Sequence, residues 1–241
     1  MVSMKDISSK CHVSIATVSK ALNNRGDISD ETKERICQVA KELGYLPNSS
    51  ARALKTNRTY NIGVLFVDKA NCGLTHSYFS HVLDSFRRGA EEEGYDITFI
   101  SQHAGKNKLS YYEHSKYRGV DGVVIACVDF EDEAILELVN GEIPVVTIDY
   151  SFHNKSSILS DNVTGMEEIV QYVVDMGHRD IAYIHGADSG VTEHRLRSFY
   201  RTMKNLNVPV RDEWVREGVY HDPESAARIT NELLTLSNRP T

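Results

Sequence analysis

Apolar positions along this chain follow two different rhythms. Near the amino terminus they recur every three or four residues in short bursts: Ile7 and Cys11, then Val18 and Leu22, then Ile36, Val39, Ala40 and Leu43. That is the period of helices with one buried face. Ser3 with Asp6 matches a capping box and opens a helix running to about Cys11. Ser14 is a good N-cap for a second, from Ile15 to about Asn23. Ser29 starts a third, with Asp30 and Glu31 against the positive end of its dipole and Gly44 as its stop. From Tyr60 onward, short apolar runs alternate with amphipathic stretches. Strands are predicted at 62–67, 97–101, 122–126 and 145–148, with helices at 78–93, 106–118 and 131–140. Such alternation predicts α/β architecture with a doubly wound parallel sheet. A second unit begins near Asp161, which with Asn162 caps a helix striped by Met166, Ile169, Val170, Val173 and Val174 and closed near His178. A strand over "DIAYIHG", a helix at 192–206, a strand near 213–218 and a helix at 223–237 follow.

The joint between the first two helices, around His12 and Val13, is too short for a broad antiparallel hairpin. A tight turn between short helices is the helix-turn-helix arrangement. Ile7, Cys11, Val13, Val18 and Leu22 close a small core with the third helix, which leaves Ile15, Ala16, Thr17, Ser19 and Lys20 facing out. Hydroxyls there suit phosphate contacts, and a lysine one turn on reaches a guanine edge in the major groove. A small bundle with a solvated polar face has the same pattern, and both readings stand at this point. Charge does not separate them. Residues 1–60 carry ten Lys/Arg against six Asp/Glu, while the remainder carries seventeen against twenty-eight. A basic head on an acidic body fits a polyanion partner for the head alone, although a mildly basic cap also fits.

Other classes are disfavoured. No apolar run approaches the roughly 18 residues of a membrane span, and "MVSMKDISSK" lacks a secretory pattern, so a cytoplasmic protein is expected. The four cysteines form no CxxC pair, and the ten histidines show no HExxH spacing. "GADSG" is not a nucleophile elbow, and the Gly105–Lys106 pair lacks the earlier glycine of a phosphate loop. No enzyme, metal or cofactor is expected. Ligands of open α/β sheets bind beyond the carboxyl ends of the strands, where Asp68, Tyr78, Asp129, Asp149, Arg195 and Tyr220 are the candidates.

Between head and body lies "NSSARALKTNRT", in which Leu54 stands bare between Arg52 and Lys55. The stretch has helical propensity but is shorter than the roughly 12–15 residues at which isolated helices hold in water, so something else must order it.

The stretch from Lys5 to Thr59 resembles the headpiece of the lactose-repressor (LacI) family of bacterial transcription regulators. The motif V-S-x-x-T-V-S-x-x-L-N is present as Val13, Ser14, Thr17, Val18, Ser19, Leu22 and Asn23, and E-L-G-Y-x-P-N as Glu42 to Asn48. The resemblance implies that Ile15, Ala16 and Lys20 read bases, with Ser14, Thr17, Ser19 and Asn23 also on the DNA. It implies that the linker becomes a hinge helix on specific DNA, with Leu54 wedged into the minor groove and Arg52, Lys55 and Asn57 beside it. His12 stands where the family usually has Gly or Asn, and histidine accepts a positive φ at small cost. The body, in "NIGVLFVD", "RGVDGVVIA", "IPVVTIDYS" and "SDNVTGMEEIVQYVVDMGHRDIAYIHG", resembles the family's effector domain, itself similar to periplasmic sugar-binding proteins. Carried over by position, Tyr78, Asp149, Arg195 and Tyr220 are the effector contacts.

The organisation so implied is a headpiece over 1–47, a hinge over 48–59, and effector subdomains over 60–160 and 161–241. The family continues past the point where "NRPT" ends this chain, so a truncated chain with an incomplete second subdomain is expected. The implied function is a transcription regulator, a repressor in preference to an activator. It would bind a palindromic double-stranded operator as a homodimer and respond to a sugar or related small molecule. The alternative is a ligand-binding or interaction module without specific DNA binding.

Overall fold

Polar caps decide where the first two helices begin. In α1 (Met4–Cys11) the Asp6 carboxylate accepts from both the amide and the hydroxyl of Ser3, each at 2.8 Å. In α2 (Ile15–Leu22) the Ser14 hydroxyl accepts from the Thr17 amide at 3.0 Å. The third, α3 (Asp30–Glu42), differs from expectation: Ser29 makes no side-chain cap and donates its hydroxyl to Thr32 Oγ1 at 2.9 Å. Gly44, at φ +66°, ends α3 as predicted, and the Tyr45 amide returns to the Ala40 carbonyl at 2.9 Å. His12 takes the left-handed conformation (φ +53°, ψ +42°) between α1 and α2. Ile7, Cys11, Val18, Ala21, Ile36 and Ala40 form the buried core, with Met4, Val13, Leu22, Val39 and Leu43 packed against it.

This is a computed structural model, and it describes residues 2–23, 28–46, 53, 57–67, 73–75, 77–220 and 222–241. Contacts divide the chain into two units, Met1–Thr59 and Tyr60–Thr241. The expected hinge residues Arg52, Leu54 and Lys55 lie outside the described residues, as does Asp68.

The second unit runs β1 (Asn61–Phe66), a 3₁₀ turn (Gly73–Thr75), α4 (Ser77–Glu92), β2 (Asp96–Phe99), β3 (His103–Ala104), β4 (Asn107–Lys108), α5 (Tyr111–Arg118), β5 (Gly122–Ala126), α6 (Glu133–Asn140), β6 (Val145–Ile148) and β7 (Ser156–Ile158). Then come α7 (Asn162–Asp175), β8 (Tyr183–His185), α8 (Gly190–Asn205), β9 (Val215–Glu217) and α9 (Pro223–Leu234). The five-stranded sheet has the order β2-β1-β5-β6-β7, all parallel. Strand order reverses at β1, as in doubly wound folds. Leu65, Val123, Ile125, Ile135, Leu138 and Val145 fill its core.

β8 and β9 form a second parallel pair. Tyr183 joins the cluster of Val170, Val174, Phe199 and Met203, whereas Ala182 and Ile184 join Trp214, Ile229 and Leu233. Alternate residues of one strand thus bury on opposite faces, as the pleat requires.

The helix expected at 106–118 is a correction. Residues 103–108 form a two-stranded hairpin turned by Gly105 (φ +62°), and α5 starts only after Ser110. There Ser110 and Glu113 exchange bonds, Ser110 N–H to Glu113 Oε2 at 2.8 Å and Glu113 N–H to Ser110 Oγ at 3.2 Å. The run Lys106–Lys108 has no apolar period to hold it helical.

α5 carries a buried histidine, His114. The Ser101 amide donates to its Nδ1 (2.9 Å), and the Arg118 Nε–H points at Nε2 (3.1 Å). A charged ring would meet donors on both sides. Burial first, then the Arg118 charge, holds its pKa below the ordinary 6.5. Below pH 6.5 the unfolded chain therefore binds a proton that the folded ring refuses, so stability is full above that pH and falls as pH drops toward the folded value. Urea midpoints at pH 7.5 and pH 5.5 are expected to show this drop in the wild type and a smaller one in His114→Gln. An equal drop in both would remove His114 as its source.

Candidate DNA-reading helix and effector cleft

Burial of Val18 and Ala21 against α1 and α3 turns the opposite side of α2 outward. Ile15 is 49 % exposed. Ala16 beside it is exposed, and Thr17, Ser19 and Lys20 are partly so. Two polar groups of this set already serve the helix. Ser14 Oγ caps the Thr17 amide, and its hydroxyl shares a 2.8 Å bond with Thr17 Oγ1. Asn23 Nδ2 donates to the Ser19 carbonyl at 2.6 Å, closing the carboxyl end. The first turn of α2 is thereby held rigid with apolar Ile15 and Ala16 in front and Lys20 one turn behind.

In the second unit a cleft of about 370 Å³ opens where the first turns of α7 meet the carboxyl end of β8. Ser160, Asp161, Asn162, Met166 and Ile169 form one wall, and Tyr183, His185 and Gly186 another. Arg195 from α8 and Tyr220 from beyond β9 complete it. Asp161 is the N-cap of α7. Its carboxylate accepts from the Thr164 amide at 2.9 Å, and that bond, followed by the Thr164 hydroxyl, lowers its pKa. Burial, then neighbouring Tyr220, pushes the Tyr183 phenol up, while the Arg195 charge works against the rise.

A proton count fixes Tyr220. Thr192 Oγ1 donates to the Ala187 carbonyl (2.7 Å), so in its 2.7 Å contact with Tyr220 Oη the phenol is the donor. The Tyr220 ring lies so close over Gly186 that a β-carbon there would overlap it. Only glycine at 186 leaves the ring where it is.

Of the four predicted effector residues, Arg195 and Tyr220 come together in this cleft. Asp149, at φ +59°, is not among its lining residues. Its carboxylate accepts from the amide (2.9 Å) and hydroxyl (2.7 Å) of Ser160, which does line the cleft. Tyr78 is packed edge-on against Phe79 at the start of α4, away from the lining. Asp129 accepts from the Glu131 amide at 3.1 Å within a turn. Ile169, expected in the buried stripe of α7, is instead 57 % exposed and faces the cleft. Ser160, Asn162, Tyr183, His185 and Gly186 were missed. Their one sequence signal is position, immediately before or within the first turn of a helix or at the end of a strand.

Among the described residues no group of three or more His, Cys, Asp or Glu is placed to hold a metal, and no helix is long and apolar enough to cross a membrane.

Comparison with known proteins covers both units. Residues 3–48 match the family of bacterial regulatory proteins of the lacI family, and residues 59–241 match the periplasmic binding proteins and sugar binding domain of that family. The chain is 30% identical over 247 residues to the HTH-type transcriptional repressor PurR of Serratia proteamaculans (strain 568), covering 100% of this chain and 71% of the relative. It is also 30% identical over 245 residues to the probable HTH-type transcriptional repressor ExuR of Bacillus subtilis (strain 168), covering 100% of this chain and 72% of the relative. In fold it is similar to the lac repressor dimer bound to operator and the anti-inducer ONPF, at TM-score 0.75 and 24% identity over 100% of this chain and 72% of that one. These relatives are transcription regulators, not enzymes. With matches running through both the helical unit and the α/β unit, the chain belongs to the LacI family of bacterial regulatory proteins, DNA-binding transcription regulators that carry a ligand-binding domain.

Proposed function

We propose that the protein is a cytoplasmic repressor that binds a palindromic operator as a homodimer, one helical unit per half-site, and is switched by a small molecule in the α7–β8 cleft. In this reading 1–47 is the headpiece, 48–59 the hinge, and 60–160 and 161–241 are effector subdomains. The carrying observation is the outward apolar start of α2, Ile15 and Ala16 with Lys20 behind, on a closed three-helix core. Ile15 and Ala16 suit thymine methyls, Lys20 a guanine edge, and Ser14, Thr17, Ser19 and Asn23 the flanking backbone. Leu54 belongs in the minor groove, with Arg52 and Lys55 flanking it on phosphates or the groove. The relatives' names support repression.

The homodimer is supported by surface chemistry. α4 keeps Val82, Leu83 and Phe86 only half-buried, and the edge strand β2 beside it exposes 51 % of Phe99. The apolar face of this helix next to an unpaired strand edge is a surface that a second copy covers. The effector is a sugar or related molecule, supported by the family description of residues 59–241 and by Arg195 and Tyr220 in the cleft. A coupling of about 2.7 kcal/mol between cleft and operator gives a hundredfold switch.

Selection from random duplexes by the purified chain is expected to enrich an inverted repeat, and enrichment of none would overturn the proposal. Sedimentation tests the dimer: a strictly monomeric chain with only weak, salt-sensitive DNA binding would favour the interaction-module reading. On the selected operator, Lys20→Ala is expected to relax preference at one base position, at a cost of roughly 1–3 kcal/mol. Equal loss on every sequence would make Lys20 a phosphate contact.

A further inference from the structure

We infer that Ile15 makes this protein a reader of the C5-methyl group of a pyrimidine, so that 5-methylcytosine serves in its operator where thymine does. The inference rests on the reading of α2 as the DNA-facing helix. It goes beyond that reading to cytosine methylation as a signal that the protein registers.

Ile15 takes no part in the core of its unit. It belongs neither to the buried cluster of the three helices nor to the residues packed against that cluster, and half of it is exposed. Ala16, next along, is exposed and also outside that packing. Burial of Val18 and Ala21 sets how α2 is rotated, and both its ends are tied. Ser14 Oγ accepts from the Thr17 amide at 3.0 Å, and Asn23 Nδ2 donates to the Ser19 carbonyl at 2.6 Å. The neighbouring hydroxyls of Ser14 and Thr17 share a 2.8 Å bond with each other. What Ile15 and Ala16 themselves bring to a base pair is hydrocarbon, with no side-chain donor or acceptor.

A side chain of this kind tells bases apart only by the carbon they present. On the major-groove edge that carbon is the pyrimidine C5 substituent, a methyl in thymine and a hydrogen in cytosine. Thymine and 5-methylcytosine carry the same methyl at the same place. They differ one atom away, where an O4 acceptor replaces an N4 amino donor, and isoleucine has no group that answers either. To Ile15 the two methylated bases are therefore alike, as are cytosine and uracil without the methyl. C5 methylation of a cytosine facing Ile15 then raises affinity with no change in base sequence. Burying one methyl group is worth about fourfold in affinity, and a dimer on a palindrome meets it twice, which gives about 15-fold for the symmetric pair.

Titration of the 241-residue chain against modified versions of its selected operator tests this. Symmetric pairs of thymines are replaced by uracil in turn, which removes the methyl alone. Where that costs most, the T·A pairs are replaced by C·G and by 5-methylcytosine·G, which again differ by the methyl alone. The expected result is a loss of about 15-fold from thymine to uracil and a gain of similar size from cytosine to 5-methylcytosine. Ile15→Ala should melt like the wild type, because the residue lies outside the core, and should shrink both differences to within about twofold. Uracil tolerated at every thymine would overturn the methyl reading while leaving the operator, and α2 on it, in place. A uracil penalty without a gain from 5-methylcytosine would mean that thymine is read through O4, which overturns the equivalence. Differences that persist in Ile15→Ala would assign the methyl to another residue and overturn the role of Ile15. Selection that enriches no inverted repeat would remove the reading of α2 and this inference together.

Discussion

Leu54→Ala is expected to lower affinity for the selected operator by roughly 30-fold while leaving affinity for random duplex within about twofold. The asymmetry follows from what each kind of binding uses. Nonspecific association is mostly phosphate neutralisation, and this substitution removes no charge. A wedge unstacks a base step at a cost of a few kcal/mol and recovers it through a bent duplex with more contact. Alanine is too short to hold the step open, and the apolar area lost is worth about 2 kcal/mol. Titration of both duplexes at matched salt reads the ratio directly. Equal loss on both would mean that Leu54 supports the protein's own fold. Unchanged operator affinity would remove the wedge from the proposal.

Ile36→Ala is expected to abolish operator binding without changing the melting of the α/β unit. Ile36 has no exposed surface and sits at the centre of the three-helix core. Truncating a buried isoleucine to alanine costs about 2–5 kcal/mol. A core this small rarely provides more than about 3–5 kcal/mol in total. The helical unit should therefore be largely unfolded, and with it the apolar front of α2. Because Met1–Thr59 and Tyr60–Thr241 are separate units by their contacts, cleft ligands should still bind. Circular dichroism, operator titration and ligand titration on one preparation distinguish the outcomes. Retained operator affinity would place DNA recognition elsewhere.

The sequence spoke most clearly where structure is local. Ser3, Ser14 and Gly44 each act on backbone within five residues, so the three helices could be placed almost to the residue. Even there Ser29 differed, because Thr32 offered its hydroxyl a partner as close as the helix amides. Four strands of the parallel sheet were legible because they carry apolar runs between amphipathic helices; β7, three residues with two serines, was not. The hairpin at 103–108 was not: it depends on Gly105 turning left-handed and on Ser110 offering a better helix start downstream. The cleft was half legible. Arg195 and Tyr220 are chemically conspicuous. Gly186 matters only because a ring from 34 positions further along lies on it, and Ile169 keeps the spacing of a core residue while facing open space. Asp149 shows the converse, a conspicuous carboxylate whose Oδ1 accepts twice from Ser160 and so holds a loop.

The left-handed His12 has a further consequence. Gly, Asn, Asp and His are the side chains that visit that region of torsion space with little strain, and β-branched ones resist it. The α1–α2 elbow, tied also by the Ser8 hydroxyl donating to the Val13 carbonyl at 2.6 Å, therefore limits which residues can stand at 12, and the tilt at which α2 would enter a groove depends on that turn as well as on the buried Val18 and Ala21. Val or Ile at this site is expected to strain the elbow and shift the helix while sparing every side chain of α2 proposed to meet DNA. Specificity would then drift through angle alone, a route by which operators could diverge under an unchanged reading face.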